Sequence, residues 1–342
     1  MKKNILITWW TGYIGSHWVV AFEKAWYKTV IVDNLSNSSI DTLEWIKKIL
    51  WYKPDFFELD LRDKEKLNEI FKKYNFDWVL HFAWLKAVGE SQEKPFEYFD
   101  NNIKWSLNLF KIMNDFWVKK IVFSSSATVY KSLLEDTNKW LSEDNDTWET
   151  SNPYWTTKFL LENILKDLSN FSSFKVMNLR YFNPIWAHKS WFIWENPLWV
   201  PNNLLPYVMN VAIWKLDEVK IFWDDYNTID WTWIRDYIDV CDLIEWHLKA
   251  YSLLENSLEK IPVSGIFETY NLWTWKWVSV LEIIKTVEKI VWKKIKYKIV
   301  WRRSWDLASV YCNPEKANKI LNWKTKISLE ESVKNMWKFY NN

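Results

Sequence analysis

From Asn4 onward the sequence alternates short runs rich in β-branched residues with longer amphipathic stretches, and this alternation narrows the choice of folds more than any other feature. Asn4 to Thr8, Thr29 to Val32, Trp78 to Phe82 and Lys120 to Ser124 read as strands with helices between them. Such alternation predicts an α/β fold, a Rossmann-type doubly wound parallel sheet with helices on both faces. Beyond about Asn183 the pattern weakens into loops such as Asn196 to Asn203, which predicts a smaller C-terminal α/β region covering the carboxyl ends of the strands. The expected division is 1–183 for the sheet domain and 184–342 mainly for substrate, with the chain partly interleaved between the two.

Turn punctuation is abnormal. The chain holds 30 Trp and 4 Gly, whereas glycine ordinarily makes up about 7% of residues. Trp26 sits between a helix-like segment and the strand Thr29 to Val32, where a helix-ending glycine is expected. Trp223 sits at a similar strand exit. A side chain with a Cβ disfavours the φ > 0 conformations that such positions demand. The expectation is that most of these tryptophans are UGA triplets read as glycine by the producing cell. Trp323 and Trp337, in helical C-terminal contexts, are expected to be genuine.

The formal net charge is +2 with both signs mixed along the chain, which points to neither nucleic acid nor membrane as a partner. Cys241 and Cys312 lie far apart and in no CxxC or Cys/His cluster, so no disulfide framework and no metal site is expected. A reducing, cytoplasmic setting fits. The apolar run after Met1-Lys2-Lys3 is too short for a signal peptide. No uninterrupted apolar stretch reaches the roughly 18 residues that a membrane span needs.

Directly after the first strand comes Thr8-Trp9-Trp10-Thr11-Gly12-Tyr13-Ile14-Gly15-Ser16-His17, leading into an apolar helix. With glycine at position 9 this is G-x-x-G-x-x-G, whose backbone N–H groups at a helix N-terminus approach a pyrophosphate. Asp33, ending the second strand, is placed to bind an adenosine ribose hydroxyl and to favour NAD over NADP. Asp60-Leu61 follows the third strand; Asp60 either contacts the adenine end of the cofactor or caps the next helix.

A serine-rich strand end, Ser124-Ser125-Ser126, is followed by Tyr154-Trp155-Thr156-Thr157-Lys158. Tyr and Lys at i and i+4 share one helix face. A free phenol titrates near 10, but an adjacent ammonium and an oxidised nicotinamide both favour phenolate, giving a base usable near neutral pH. Ser126 would hydrogen-bond the reacting hydroxyl, and Lys158 would also hold the nicotinamide ribose.

Several blocks then resemble the UDP-glucose 4-epimerase family, an extended branch of the short-chain dehydrogenase/reductases within the NAD-dependent epimerase/dehydratases. They are Thr8 to His17, Val32 to Leu35, His81 to Ser91, Asp100 to Asn102, Phe123 to Tyr130, Arg180 to Pro184, Pro201 to Leu204 and Arg235 to Ile238. The resemblance runs nearly end to end, and in nearly every block the discordant residue is a Trp in a family glycine position. It implies that Gly12, Tyr13, Ile14, Gly15, Asp33, Asn34, Leu35, Ser36, Asn37, Ser38, Asp60 and Leu61 line the adenosine and pyrophosphate part of NAD. Phe82, Ala83, Trp84, Leu85, Lys86, Asn101, Ser126, Tyr154, Lys158 and Phe182 would line the rest. It also implies that Lys86, Ser126, Tyr154, Asn183, Asn203, Leu204, Lys220, Ile221, Phe222, Arg235, Arg303, Asp306 and Val310 hold a UDP-hexose. Guanidinium forks suit diphosphate oxygens, although a surface salt bridge is an equal reading for each arginine.

The implied reaction interconverts UDP-galactose and UDP-glucose through a 4-keto sugar, a step of galactose metabolism, in a homodimer. A nucleotide-sugar 4,6-dehydratase resembles this chain but carries Thr-Asp-Glu where Ser126-Ala127-Thr128 stands, and without that acid pair elimination lacks a proton donor. UDP-glucuronate and UDP-N-acetylglucosamine 4-epimerases stay open as alternatives. A non-catalytic NAD-binding regulator would often have lost the Tyr or Lys present here. Lys131 departs from the family's usual glycine without explanation. Val310, where the family has a bulky aromatic or a smaller residue, predicts that N-acetylated UDP-hexosamines are also accepted.

Overall fold

The computed structural model describes residues 2–8, 13–36, 38–82, 85–131, 140–148, 150–181, 183–185, 188, 190, 192–193, 201, 203–258, 265–302 and 309–340. In chain order the strands are β1 (Asn4–Thr8), β2 (Lys28–Asp33), β3 (Asp55–Glu58), β4 (Phe76–His81), β5 (Lys120–Ser126), β6 (Lys175–Tyr181) and β7 (Asn183–Ile185). They continue with β8 (Val219–Phe222), β9 (Ile234–Asp239), β10 (Ile266–Asn271), β11 (Trp277–Ser279), β12 (Tyr297–Val300) and β13 (Ser309–Val310). Among the described residues, seven strands form one parallel sheet in the order β10-β6-β5-β4-β1-β2-β3. The order reverses at β1/β4, the switch point of a doubly wound sheet. The four strands expected from the sequence all form, each within two residues of its expected ends.

Strands buried on both faces read as near-continuous apolar runs, and side-chain alternation sorts them into two cores. Ile5, Ile7, Ile31, Leu80, Val122 and Met177 face one core with the helices Tyr13–Lys24, Thr42–Leu50 and Val240–Leu258. Leu6, Val30, Val79, Ile121, Phe123 and Val176 face the other, covered by Lys64–Lys73, Trp105–Asp115 and Pro153–Ser172. β10 comes from the second half of the chain yet closes the edge of this sheet beside β6. The rest of that half builds two small sheets, β7, β11 and β13 around β9, and β8 paired with β12.

Eleven non-glycine residues among those described have positive φ, and eight are tryptophan: Trp26, Trp51, Trp117, Trp214, Trp223, Trp231, Trp275 and Trp292, at φ 55 to 73°. The other three are Leu35, Ser173 and Asn322. Trp51 and Trp292 are left-handed C-caps of Thr42–Leu50 and Val280–Val291. Trp26, Trp117 and Trp214 end helices likewise, their N–H groups donating to carbonyls of the last turn. Most of these indoles gain no burial in return; Trp51 is 87% exposed and Trp292 91%. At about 1–2 kcal/mol for each left-handed residue with a Cβ, eight such sites cost as much as the net stability of an ordinary domain, about 5–15 kcal/mol.

Candidate active site

At the switch point β1 ends on Thr8 and β4 on His81, paired in register. Thr8 Oγ1 lies 2.8 Å from His81 Nδ1, and His81 Nε2 lies 2.8 Å from Ser106 Oγ. Burial pushes the His81 imidazole down to about 3, with the Lys158 charge acting the same way. A neutral ring, with one donor and one acceptor nitrogen, matches two hydroxyl partners. Ser106 Oγ in turn donates to the carbonyl of Asn102. The Asn102 amide accepts from Leu85 N (2.9 Å) and donates to Leu85 O (3.1 Å) and to Thr157 Oγ1 (3.0 Å). Thr157 Oγ1 donates to the carbonyl of Tyr154 at 2.7 Å. A buried polar chain therefore joins the ends of β1 and β4, the segment holding Leu85 and Lys86, and the helix that carries Tyr154 and Lys158.

Of the expected cofactor residues, several of those described stand at strand ends and helix starts of this sheet. The helix Tyr13–Lys24 starts five residues after β1, holds the half-buried Ile14 and the buried Gly15, and has no acidic residue in its first turn. Asp33 is buried at the end of β2, where its Oδ1 accepts from Leu35 N (2.8 Å) and Ser38 Oγ (3.3 Å). Leu35 adopts φ 56°, and Asn34 Oδ1 accepts from Ser36 N. The Asn34 amide donates to Asp60 Oδ2 at 3.1 Å. Burial alone would raise Asp60, but hydrogen bonds from Arg62 and Asn34 outweigh it and hold the carboxyl below its ordinary 3.8. Of the two readings of Asp60, helix capping falls away, because the N-cap of Lys64–Lys73 is Asp63, accepting from Lys66 N. Leu61 and Phe82 are buried, Leu85 is half-buried and Lys86 is exposed. Asn101 lies in a π-helical turn, Asp100–Lys104, and donates to Glu97 O at 2.7 Å. Gly12, Asn37, Ala83, Trp84, Phe182, Arg303 and Asp306 lie outside the described residues, as do the side chains of Tyr13 and Val310.

Tyr154 and Lys158 sit one turn apart near the start of Pro153–Ser172, a helix whose entry is set by Pro153 and by Asn152 accepting from Trp155 N at 3.0 Å. Lys158 Nζ donates to the carbonyl of Ser124 at 2.7 Å and lies 6.0 Å from the centre of the Tyr154 ring. Ser126, at the end of β5, accepts from Thr128 N (3.3 Å) and Thr128 Oγ1 (3.0 Å), which leaves its own proton to donate elsewhere. The electrostatics differ from the expected phenolate: burial raises the Tyr154 phenol above its ordinary 10, and Tyr181 adds to the rise. Burial likewise holds Lys158 well below 10.5, with Glu162 acting in the opposite sense. In a low-dielectric pocket both groups favour their neutral forms, so proton removal by Tyr154 depends on positive charge brought beside it.

Of the expected substrate residues, Asn183 on β7 and Arg235 on β9 come together in the second sheet. Asn183 pairs with Tyr237 in register and its amide donates to Asp236 O at 3.5 Å, while the backbone of Val310 pairs with Arg235. Arg235 is buried, donates to Ile234 O at 2.7 Å and lies 4.8 Å from the Trp233 ring. Asn203 stands at the N-cap of Leu204–Ala212, which Leu204 opens. Lys220, Ile221 and Phe222 lie on β8 in a separate two-stranded sheet, exposed, buried and half-buried in turn.

No local sequence pattern gives Arg62, Ser106, Asn102 or Thr157 a role, and His81 stands out only within the block His81 to Ser91. The side-by-side Asn101-Asn102 was the available signal for the π-turn, but Asn102's clamp on Leu85 joins residues whose pairing no local pattern encodes.

The family model described as GDP-mannose 4,6 dehydratase matches residues 6–336. The UDP-glucose 4-epimerase of Bacillus subtilis (strain 168) is 44% identical over 336 residues, covering 98% of this chain and 96% of the relative. The bifunctional protein gal10 of Schizosaccharomyces pombe is 43% identical over 339 residues, and the chain spans 98% of its own length but 47% of that protein. The crystal structure of UDP-glucose 4-epimerase from Bifidobacterium longum, in complex with NAD+ and UDP, superposes with a TM-score of 0.90 at 39% identity, covering 99% of this chain and 98% of that one. The match to the Bacillus subtilis enzyme over nearly the whole of both chains, on the same fold, shows that the chain belongs to the UDP-glucose 4-epimerase family.

Proposed function

We propose that the chain interconverts UDP-galactose and UDP-glucose through a 4-keto sugar, with NAD held as a bound catalyst. The observation that carries this reading is the Tyr154/Lys158 pair on one helix turn against the end of β5, where Lys158 Nζ donates to Ser124 O at 2.7 Å, in a doubly wound sheet whose β2 ends on the buried Asp33. The residues suit NAD: a buried carboxylate ending β2 accepts from ribose hydroxyls and repels a 2′-phosphate, and a helix start free of acidic residues favours pyrophosphate. When bound, NAD supplies the hydride acceptor for the sugar C4 and returns the hydride to it. Tyr154 takes the proton of the 4-hydroxyl and gives it back, and Ser126 holds that hydroxyl with its unused proton. Lys158 holds the nicotinamide ribose beside the phenol, where the oxidised nicotinamide would bring the positive charge that favours phenolate. Arg235, Asn183, Asn203, Leu204, Lys220, Ile221 and Phe222 hold the UDP-sugar, with Arg303, Asp306 and Val310 completing the list.

Dehydration is disfavoured despite the matched model's description, because buried Ala127 and Thr128 follow Ser126 and offer no carboxylic acid for elimination. Residues 1–183 form the cofactor domain, and 184–342 mainly the sugar-binding region, with β10 as the strand that returns to the first. The protein works as a homodimer in the cytoplasm, where its two free cysteines stay reduced. The test is conversion of UDP-galactose, and in parallel UDP-N-acetylgalactosamine, by the chain as written and by a version with glycine at position 9, at the eight positive-φ positions and at the other family glycine positions that hold Trp. Turnover of UDP-galactose in either version is the expected result. Silence of both versions, each folded and NAD-bound, would overturn the epimerase reading.

A further inference from the structure

We infer that the polypeptide made in the cell carries glycine, not tryptophan, at positions 26, 51, 117, 214, 223, 231, 275 and 292, through a codon that the cell reads as glycine. This goes beyond the catalytic reading and does not depend on it. The argument is one of backbone geometry. All eight residues have φ between 55 and 73°, a region that glycine enters freely and that a Cβ disfavours. The composition is inverted to match: no glycine with positive φ occurs among the described residues, although helix ends and tight turns normally recruit it there.

Five of the eight end helices, at the positions where αL glycine normally stops a helix. The other three lie in turns, Trp223 at the exit of β8 and Trp231 and Trp275 on either side of β9 in sequence. The indoles at these sites are mostly solvated, so packing does not explain their presence; Trp117 is 81% exposed and Trp26 78%. Trp323 supplies the contrast. It is buried, packs on Trp246 at 4.5 Å, and its indole N–H donates to Glu245 at 2.6 Å. Trp337 lies within the helix Leu329–Tyr340, packed against the larger core. These two have the helical backbone or the satisfied indole of a genuine tryptophan.

Two measurements test the inference. Peptide mass mapping of the protein purified from its own cells should find glycine masses at all eight positions and tryptophan at 323; tryptophan masses at the eight would overturn it. Thermal unfolding of two purified versions then reads the strain directly. The version with glycine at the eight positions should unfold at a clearly higher Tm than the chain as written, and an equal or lower Tm would overturn the geometric argument. A failure to turn over UDP-galactose bears only on the epimerase reading and leaves both readouts intact.

Discussion

Tyr154 and Lys158 show how a spacing sets proximity while burial sets charge. One helical turn brings ammonium and phenol together, yet in the pocket desolvation raises the phenol and lowers the amine. Loss of the phenol removes the group proposed to exchange the sugar proton. Tyr154→Phe keeps volume and packing and should lower kcat by about 10²–10⁴-fold, the usual worth of a positioned acid–base group. Steady-state kinetics beside calorimetric titration with UDP check this: kcat falls while UDP affinity holds. A parallel loss of UDP affinity would mean that the residue shapes the pocket and does not move a proton.

At the scale of elements, the catalytic helix is fixed from both ends. Its start is set by Asn152 and Pro153, and near its end Gly265 comes against it just before β10. A Cβ built on Gly265 would lie 1.9 Å from Ser169 O and 2.7 Å from Phe174 O. Both are backbone atoms, so the contact has no flexible side chain to yield. Gly265→Ala should destabilise the protein by about 1–3 kcal/mol, the range for overpacked sites, by prising β10 from β6. Thermal or urea unfolding checks the loss, and unchanged stability would mean that β10 is free to shift. Gly265 thus does in one place what the eight tryptophans cannot: its lack of a side chain lets two elements touch.

For the whole molecule, the surface that the sheet leaves outside matters. Leu107 and Leu160, on the flanking helices Trp105–Asp115 and Pro153–Ser172, are 44% and 38% exposed, and Phe99 and Ile103 lie beside them in the same shallow groove. Apolar side chains gathered on neighbouring helices favour burial against a second copy. Sedimentation at micromolar concentration should give about twice the 41.9 kDa chain mass. Leu107→Glu with Leu160→Glu should shift it to one, and a monomer before mutation would remove the homodimer from the reading.

Much of this was written in the sequence by itself. Short runs rich in β-branched residues specified β1, β2, β4 and β5, because strand preference is a property of neighbouring residues. The four-residue step placed Tyr154 beside Lys158 for the same reason, and Trp26 and Trp223 betrayed positive φ because turn chemistry is local. The tertiary structure alone decided the rest. β10 joins the main sheet from beyond residue 265, and Asn102 ties Leu85 to Thr157 across the crevice. The protonation of Tyr154 follows from how deeply the finished fold buries it. These contacts join residues far apart in sequence, and no periodicity reaches that far; they exist only once the sheet has closed.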